Sequence, residues 1–393
     1  MPRLLVALLG LSTVGSAFAA TSSLSERCTA LKTNLHLENS TILDATHVSP
    51  GSNISTPGSC QSSAISNAAM CRVQVVVNTT ATSAVHFEAW LPDEWFGRFL
   101  GLGNGGLGGC VSLPLYFIFI FSNILNKTGI DYLNLDYGST LHFASVGSDN
   151  GHDGTTGSQF LNNPEVINDF AFRAIHVEVV LGKQIIDAYY GRPQHKSYYL
   201  GCSTGGRQAI QSALLYPDDF DGLVAGSPAT DFNHLSGWQA MLGRFVGAPL
   251  NSTEAFIPAT LWPVISQEIL NQCDELDGVK DGIITDPDQC IFRPEALLCS
   301  SETKNKSSCI NPAQAAALTN IYQPLYGTKG QLLYTRYDPL AESLGNFINM
   351  FSGDIFSIAL VNQHISWVYD HSQGIDFLEL VSICHIQRHG AFL

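Results

Sequence analysis

The sequence predicts an α/β protein in which a mostly parallel β-sheet carries helices on both faces. Between residues 72 and 225, short runs rich in β-branched and aromatic residues alternate with segments of helical periodicity. A turn of small residues at 201–205 joins one of these runs directly to a helical segment. Such alternation favours parallel strands, because each strand–helix–strand unit returns the chain to the same edge of the sheet.

The individual elements follow from local patterns. One helix is predicted over Pro164 to Tyr190, where a proline suits the first turn and apolar residues recur on one face, and a second over Thr204 to Leu215. Residues 21–70 are rich in Ser, Thr, Asn and Gly and predict loops with short elements. The predicted strands are Arg72 to Val77, Val85 to Leu91, Arg98 to Leu102, His142 to Val146, Ser197 to Leu200 and Asp221 to Ala225.

Residues 1–19 have the pattern of a secretory signal peptide, with Arg3, an apolar run over Leu4 to Leu11, and the small-residue motif Ala17-Phe18-Ala19. The apolar run is too short to span a bilayer, and a buried N-terminal helix is the alternative. Ten cysteines agree with an oxidising compartment. We therefore expect a secreted, extracellular glycoprotein. The N-x-S/T sequons are at Asn39, Asn53, Asn78, Asn126, Asn251 and Asn305.

Composition limits the classes of partner. Hydrophobic residues make up 45% of the chain and charged residues 13%, which predicts a sizeable core rather than disorder. The net charge is −15, and the sequence has no dense run of Lys and Arg. Because nucleic acids and anionic membranes bind clustered basic side chains, neither is expected as a partner.

The pentapeptide Gly201-Cys202-Ser203-Thr204-Gly205 fits the G-x-S-x-G pattern. In α/β-hydrolases this pattern forms a sharp strand-to-helix turn that holds the serine hydroxyl clear of the sheet. Ser203 is therefore the predicted nucleophile of an α/β-hydrolase core, and the N–H of Thr204, at the helix N-terminus, is a predicted oxyanion donor. A plain glycine-rich turn is the alternative.

A second glycine-rich segment, 103–109, follows the predicted strand Arg98 to Leu102. Without side chains in the way, its backbone can approach a substrate oxygen closely, as the glycine-rich loop of esterases does. Gly105 or Gly106 is the candidate for the second oxyanion N–H. A flexible turn without this role is the alternative.

The alternation of strands and helices fades after residue 229, and residues 230–345 predict an inserted lid domain. Within it, the acidic segment 273–283 carries two glycines and predicts a structural Ca²⁺ site, because hard cations take carboxylate and carbonyl oxygens. A solvated acidic loop is the alternative. The candidate ligands are the carboxylates of Asp274, Asp277 and Asp281 and the backbone carbonyls of Val279 and Ile283.

The general base is not identified by the sequence. A serine nucleophile needs an imidazole that is oriented by a carboxylate, and in α/β-hydrolases both follow the serine in the chain. None of the later histidines has a sequence context that marks it as catalytic, and each is also compatible with a solvated or core position. They are His234, His364, His371, His385 and His389.

The cysteines can be paired in part from their spacing. Cys273 with Cys290 and Cys299 with Cys309 would each close a short local loop, the first of them around the acidic segment. The remaining cysteines of the first 110 residues can form two pairs, for which we expect Cys28 with Cys71 and Cys60 with Cys110. Cys202 and Cys384 are left over.

Four stretches of the sequence resemble the fungal tannase and feruloyl esterase family, and most of all its feruloyl esterase B group. The resemblance covers most of residues 25–350 and implies Ca²⁺ binding in the lid. In that family a Cys-Ser pair at the nucleophile and a late His-Cys pair are joined by a disulfide that draws the histidine to the serine. Cys202-Ser203 matches the first pair. The stretches are 91–101 (LPDEWFGRFLG), 146–154 (VGSDNGHDG), 199–207 (YLGCSTGGR) and 216–222 (YPDDFDG).

The sequence departs from the family in two places. From about residue 361 the likeness ends, and we expect the triad Asp and His to lie beyond Leu393, with residues 346–393 a truncated or divergent return to the core. Val111 to Thr128 contains an unexpected apolar run, and joining Cys110 to Gly129 would restore a family-like sequence. We interpret 111–128 as a possible retained intron, which would make the sequon at Asn126 spurious.

The resemblance implies a core over residues 20–229 that hydrolyses hydroxycinnamate esters, such as feruloylated plant cell-wall polysaccharide, through an acyl-enzyme on Ser203. Two alternatives stay open at this point. One is a tannase acting on gallate esters, and the other is an inactive fragment or a non-catalytic glycan-binding relative.

Overall fold

The computed structural model describes residues 23–56, 63–108, 130–154, 157–160, 162–247, 252–301, 308–327 and 329–341. The helices in these ranges are α1 (Leu24–Asn34), α2 (Tyr132–Thr140), α3 (Pro164–Asn168), α4 (Ala174–Tyr190), α5 (Thr204–Leu215), α6 (Phe232–Phe245), α7 (Trp262–Cys273) and α8 (Pro312–Ile321). The strands are β1 (Ser40–Val48), β2 (Ser52–Ser55), β3 (Ser63–Ser66), β4 (Met70–Asn78), β5 (Ala84–Pro92), β6 (Arg98–Leu102), β7 (Phe143–Ser148), β8 (Lys196–Cys202), β9 (Gly222–Gly226), β10 (Leu325–Tyr326) and β11 (Leu332–Tyr334). Short 3₁₀ helices lie at Gly157–Phe160, Ala259–Leu261, Asp274–Asp277, Pro287–Gln289 and Pro294–Leu297.

Seven strands form the central sheet in the order β1-β4-β5-β7-β6-β8-β9. The pairs β7/β6, β6/β8 and β8/β9 are parallel, whereas β1/β4, β4/β5 and β5/β7 are antiparallel. The sheet is therefore mixed, and the expectation of a mostly parallel sheet is corrected. The physical reason is the short link between β4 and β5, since a parallel connection needs a crossover of a dozen or more residues.

The N-terminal region is more ordered than the sequence predicted. Residues 21–70 were expected to be loops with short elements, but they contain the eleven-residue helix α1 and the nine-residue strand β1. Ser23 and Glu26 form a capping box at the start of α1, which satisfies the first backbone N–H groups. The disulfide Cys28–Cys71 then joins α1 to β4.

The predicted helix over Pro164 to Tyr190 is interrupted. Its first turn is α3 and its main body is α4, and a π-helical segment, Asp169–Arg173, separates them. A π-turn leaves carbonyl groups without their usual helical partners. The guanidinium of Arg207 donates to two of these, the carbonyls of Phe170 at 3.2 Å and Ala171 at 2.8 Å.

Helices cover both faces of the sheet, as predicted. Buried residues of α1, α4 and α5 share one core with the strands, and α2 packs against the opposite face. A separate hydrophobic cluster, built around Trp262, Ile265 and Leu318, connects α6, α7 and α8. This second cluster occupies the region predicted as a lid domain. In the part of the chain that the structure describes, no helix is both long and apolar enough to cross a membrane.

Candidate active site

Ser203 lies on the turn between β8 and α5 with φ 59° and ψ −115°. A non-glycine residue in this region of backbone space is strained and persists only where its surroundings fix it. The Ser203 N–H donates to the carbonyl of Gly226 at 3.0 Å, and its carbonyl accepts from the N–H groups of Arg207 at 3.0 Å and Ala229 at 3.1 Å. The residue is exposed. The structure thus contains the sharp strand–helix turn that the G-x-S-x-G pattern requires.

The glycine at 205 allows two backbone segments to meet at this turn. A Cβ atom on Gly205 would lie 3.0 Å from the carbonyl oxygen of Asn104 and 3.2 Å from the Cα of Gly103. Both distances are tighter than ordinary carbon contacts. The glycine-rich loop after β6 therefore lies directly against the first turn of α5.

The two predicted sources of oxyanion N–H groups are held together by a side-chain hydrogen bond. The hydroxyl of Thr204, the first residue of α5, donates to the carbonyl of Gly106 at 2.7 Å. Thr204 is 1% exposed, whereas Gly105 is half-buried and Gly106 is exposed. The loop glycines and the positive end of α5 are consequently adjacent, which is the arrangement that stabilises a developing negative charge.

Buried polar residues that the sequence analysis did not single out support the loop. Asn104 and Gln208, each 2% exposed, hydrogen-bond to one another behind the turn. His152 donates through Nε2 to the carbonyl of Leu107, and burial lowers the pKa of His152, which favours the neutral ring. The sequence contains a signal that points to Gln208. Thr204, Gln208 and Ser212 recur every four residues, which places their polar side chains on the face of α5 that meets the sheet.

No base for Ser203 can be assigned from the described residues. Within them, no Asp, Glu or His side chain hydrogen-bonds to the Ser203 hydroxyl. The described residues contain three His–Asp pairs, none of which involves Ser203: His86 with Asp149 and His176 with Asp219, each 2.8 Å apart, and His47 with Asp93 at 3.0 Å. The side chain of His234 and all of His364, His371, His385 and His389 lie outside the described residues.

The acidic segment 273–283 forms a turn-rich loop after α7. The carboxylates of its three candidate ligands accept hydrogen bonds from the loop itself: Asp274 from Gly282 N–H at 2.9 Å, Asp277 from Val279 N–H at 2.9 Å, and Asp281 from Ile283 N–H at 3.0 Å. Among the described residues, no three His, Cys, Asp or Glu side chains converge as a metal site. The oxygen-only donor set fits the chemistry of Ca²⁺, but its carboxylates are directed at backbone N–H groups.

The cysteines in the described residues pair as expected. Disulfides join Cys28 to Cys71, Cys273 to Cys290 and Cys299 to Cys309. Cys202, next to Ser203, is exposed and forms no disulfide with another cysteine of the described ranges. The expected pair Cys60–Cys110, the leftover Cys384 and the segment 111–128 lie outside the described residues. The sequon residues Asn39, Asn53 and Asn78 are exposed, whereas Asn126, Asn251 and Asn305 lie outside the described ranges.

Comparison with known proteins gives a consistent result. Residues 71–365 match the family model described as "Tannase and feruloyl esterase". A probable feruloyl esterase B from Aspergillus clavatus is 40% identical over 356 residues, which are 89% of this chain. The chain spans 64% of that relative's length.

Two solved structures also superpose on this chain. The crystal structure of feruloyl esterase B from Aspergillus oryzae superposes with a TM-score of 0.79 at 37% identity, over 93% of this chain and 69% of that one. A tannin acyl hydrolase from Aspergillus niger superposes with a TM-score of 0.59 at 19% identity, over 93% of this chain and 73% of that one. At 19% identity the second likeness shows a common fold and nothing more.

Proposed function

The chain belongs to the tannase and feruloyl esterase family, and from this premise we propose that the protein is a carboxylic ester hydrolase whose nucleophile is Ser203. The observation that carries the proposal is the backbone of Ser203, held at φ 59° beside the glycine loop that hydrogen-bonds to Thr204. Strain of this kind at an exposed serine is a feature of catalytic turns.

The proposed reaction follows from the groups that surround the hydroxyl. Ser203 Oγ adds to the ester carbonyl carbon while a base takes its proton, and the carbonyl oxygen becomes an oxyanion. The N–H of Thr204 and that of Gly105 or Gly106 stabilise this charge. The C–O bond to the alcohol then breaks, the alcohol takes a proton, and water hydrolyses the acyl-serine ester to release the acid.

We assign the substrate class from the relatives. The feruloyl esterase B proteins to which the chain is similar support aromatic hydroxycinnamate esters, including feruloylated cell-wall polysaccharide, as substrates. Gallate esters are the alternative, since the family model covers both activities. The relative rates of hydrolysis of methyl ferulate and methyl gallate decide between them.

Covalent labelling tests the nucleophile. A fluorophosphonate should modify Ser203 and no other serine, as read by peptide mass spectrometry. Ser203→Ala should abolish labelling and lower turnover by a factor of about 10⁴ or more, whereas Ser25→Ala, at an exposed position of α1, should leave both unchanged. Turnover that survives Ser203→Ala would exclude the proposal. Retained affinity for arabinoxylan without labelling or turnover would instead indicate a non-catalytic glycan-binding protein.

We also propose that the protein is secreted and that the loop 273–283 binds a structural Ca²⁺ ion. Secretion is supported by the pattern of residues 1–19, by three disulfides in the described residues and by exposed sequons at Asn39, Asn53 and Asn78. The ion would be held by the carboxylates of Asp274, Asp277 and Asp281 with the carbonyls of Val279 and Ile283, and it would stabilise the loop without entering the reaction. Secretion into the medium of a fungal host, with a mass decrease on deglycosylation, tests the first proposal.

A further inference from the structure

A buried amide side chain connects three segments behind Ser203. Gln208 lies on α5, one turn after Thr204, and is 2% exposed. Its Oε1 accepts from the backbone N–H of Asn104 at 2.9 Å and lies 3.3 Å from the hydroxyl of Tyr199. Its Nε2 donates to the Oδ1 of Asn104 at 3.0 Å and to the Oδ1 of Asn150 at 2.9 Å. Both N–H groups of the amide are therefore engaged, and its oxygen accepts from the backbone N–H of Asn104.

The partners of Gln208 are themselves fixed. Asn104 donates through Nδ2 to the carbonyl of Ser148 at 2.7 Å, which joins the glycine loop to the end of β7. The hydroxyl of Tyr199 lies 3.0 Å from the carbonyl of Gly205, in the turn that carries the nucleophile. Because Gln208, Asn104 and Tyr199 are buried and hydrogen-bonded, they restrain one another's positions.

We propose that Gln208 is a positioning residue that sets the location of the oxyanion N–H groups in the glycine loop, an inference that rests on the proposed ester hydrolysis. Its bonds to Asn104 fix the loop immediately before Gly105, and the hydroxyl of Thr204 fixes it at Gly106. Both restraining side chains come from α5, whose N-terminal N–H is the other oxyanion donor. One helix thus sets both halves of the oxyanion site relative to Ser203.

The network is specific to an amide at position 208. A methionine would fill the same space but would remove the acceptor of the Asn104 N–H and the donor to the Oδ1 atoms of Asn104 and Asn150. A glutamate keeps the shape, but its carboxyl supplies at most one donor where the amide supplies two. Both replacements should therefore release the loop while preserving the packing of α5.

Hydrogen exchange and kinetics together test the inference. The variants are Gln208→Glu and Gln208→Met, with Gln211→Glu, half-buried on the same helix, as the matched control. We expect amide exchange in residues 103–108 to accelerate by about tenfold or more in both Gln208 variants, with exchange in α7 unchanged. The kcat for methyl ferulate and the fluorophosphonate labelling rate should fall about 10- to 100-fold while KM changes little, because a small displacement of catalytic groups is costly. The control should match the wild type.

The outcomes separate the two proposals. Unchanged exchange at 103–108 in a folded Gln208→Met protein would overturn the positioning role, and this variant decides the matter if Gln208→Glu does not fold. The positioning role would also be overturned if the Gln208 variants and the Gln211→Glu control had the same kcat. If the wild-type protein is not labelled at Ser203 and does not hydrolyse esters, the proposed hydrolysis is excluded. The exchange measurement still decides whether Gln208 fixes the loop.

Discussion

The hydroxyl of Thr204 lies 2.7 Å from the carbonyl oxygen of Gly106 and joins the first residue of α5 to the glycine loop. Thr204 is 1% exposed, whereas Gly106 is exposed, so the bond ties an exposed loop residue to a buried helix residue. The same residue thus contributes a backbone N–H to the proposed oxyanion site and a side chain that fixes the loop opposite it.

Removing this hydroxyl should impair turnover more than binding. In Thr204→Val the shape is kept and the hydrogen bond is lost, so we expect kcat to fall by about 10- to 100-fold with little change in KM. Thr204→Ser retains the hydroxyl and should keep most of the activity. Steady-state kinetics with methyl ferulate give both constants, and equal activity of the valine and serine variants would contradict a role for the bond.

The elements around Ser203 were predictable because their signals are local. The strand at Arg98–Leu102 and the helix at Thr204–Leu215 have the predicted boundaries, since a short apolar run that leads into the glycine-rich segment and the G-x-S-x-G turn specify them directly. Strand β1 was missed for a physical reason. Its register shifts between Ile42 and Asp44, and this irregularity breaks the alternation of buried and exposed residues that marks a strand.

The direction of the strands and the buried amide network could be predicted only in part. The five-residue link 79–83 between β4 and β5 requires a hairpin, and that constraint was available from the predicted strand boundaries. By contrast, Asn104 and Gln208 come together only when β6, β8 and α5 assemble. The spacing of Thr204, Gln208 and Ser212 places Gln208 on the face of α5 that meets the sheet, but it does not identify Asn104 as its partner, because the two residues are 104 positions apart in the chain.

A buried ion pair in the antiparallel half of the sheet should dominate the stability of that region. Arg72 donates to Glu88 at 2.7 and 2.5 Å, and Glu88, 1% exposed, also accepts from Trp90 at 2.9 Å and Tyr132 at 2.8 Å. Arg72→Met leaves the carboxylate buried without its cation, and we expect the free energy of unfolding to fall by about 3–5 kcal/mol.

The matched control is the exposed pair Lys196–Asp221, whose atoms are 2.6 Å apart. Lys196→Met should change the free energy of unfolding far less than Arg72→Met does, because solvent screens exposed pairs. Guanidinium denaturation of both variants provides the comparison. Equal effects at the two sites would contradict the importance of burial.

Calcium should stabilise the protein through the loop 273–283. If the ion binds only the folded state, a hundredfold excess over Kd adds about 2.7 kcal/mol, and thermal unfolding should occur at higher temperature in CaCl2 than in EGTA. Asp277→Asn should reduce that difference. Glu275→Gln is the control, because Glu275 pairs with Lys280 at 3.0 Å and is not a proposed ligand. Identical melting in CaCl2 and EGTA would exclude the site.

The pair His86–Asp149 should make part of the stability depend on pH. The ring Nδ1 lies 2.8 Å from the Asp149 carboxylate, and this hydrogen bond raises the pKa of His86, with burial acting in the opposite direction. A raised pKa in the folded state means that the protonated ring is stabilised there. The contribution is therefore fully present below the unfolded-state pKa, about 6.5, and is lost as the pH rises through the higher folded-state pKa.

A double-mutant cycle with His86→Gln and Asp149→Asn isolates this contribution from the other hydrogen bonds of Asp149, which accepts from the N–H groups of His86 and Gly151. Because the His86 side chain is 44% exposed, the coupling energy should not exceed about 1 kcal/mol. Urea denaturation between about pH 5.5 and 8.5, a range that brackets the ordinary histidine pKa, should show the coupling largest at the acidic end and smallest at the alkaline end. A coupling that stays constant over this range would mean that the pair is held by a neutral imidazole, so that no proton is taken up when the protein folds.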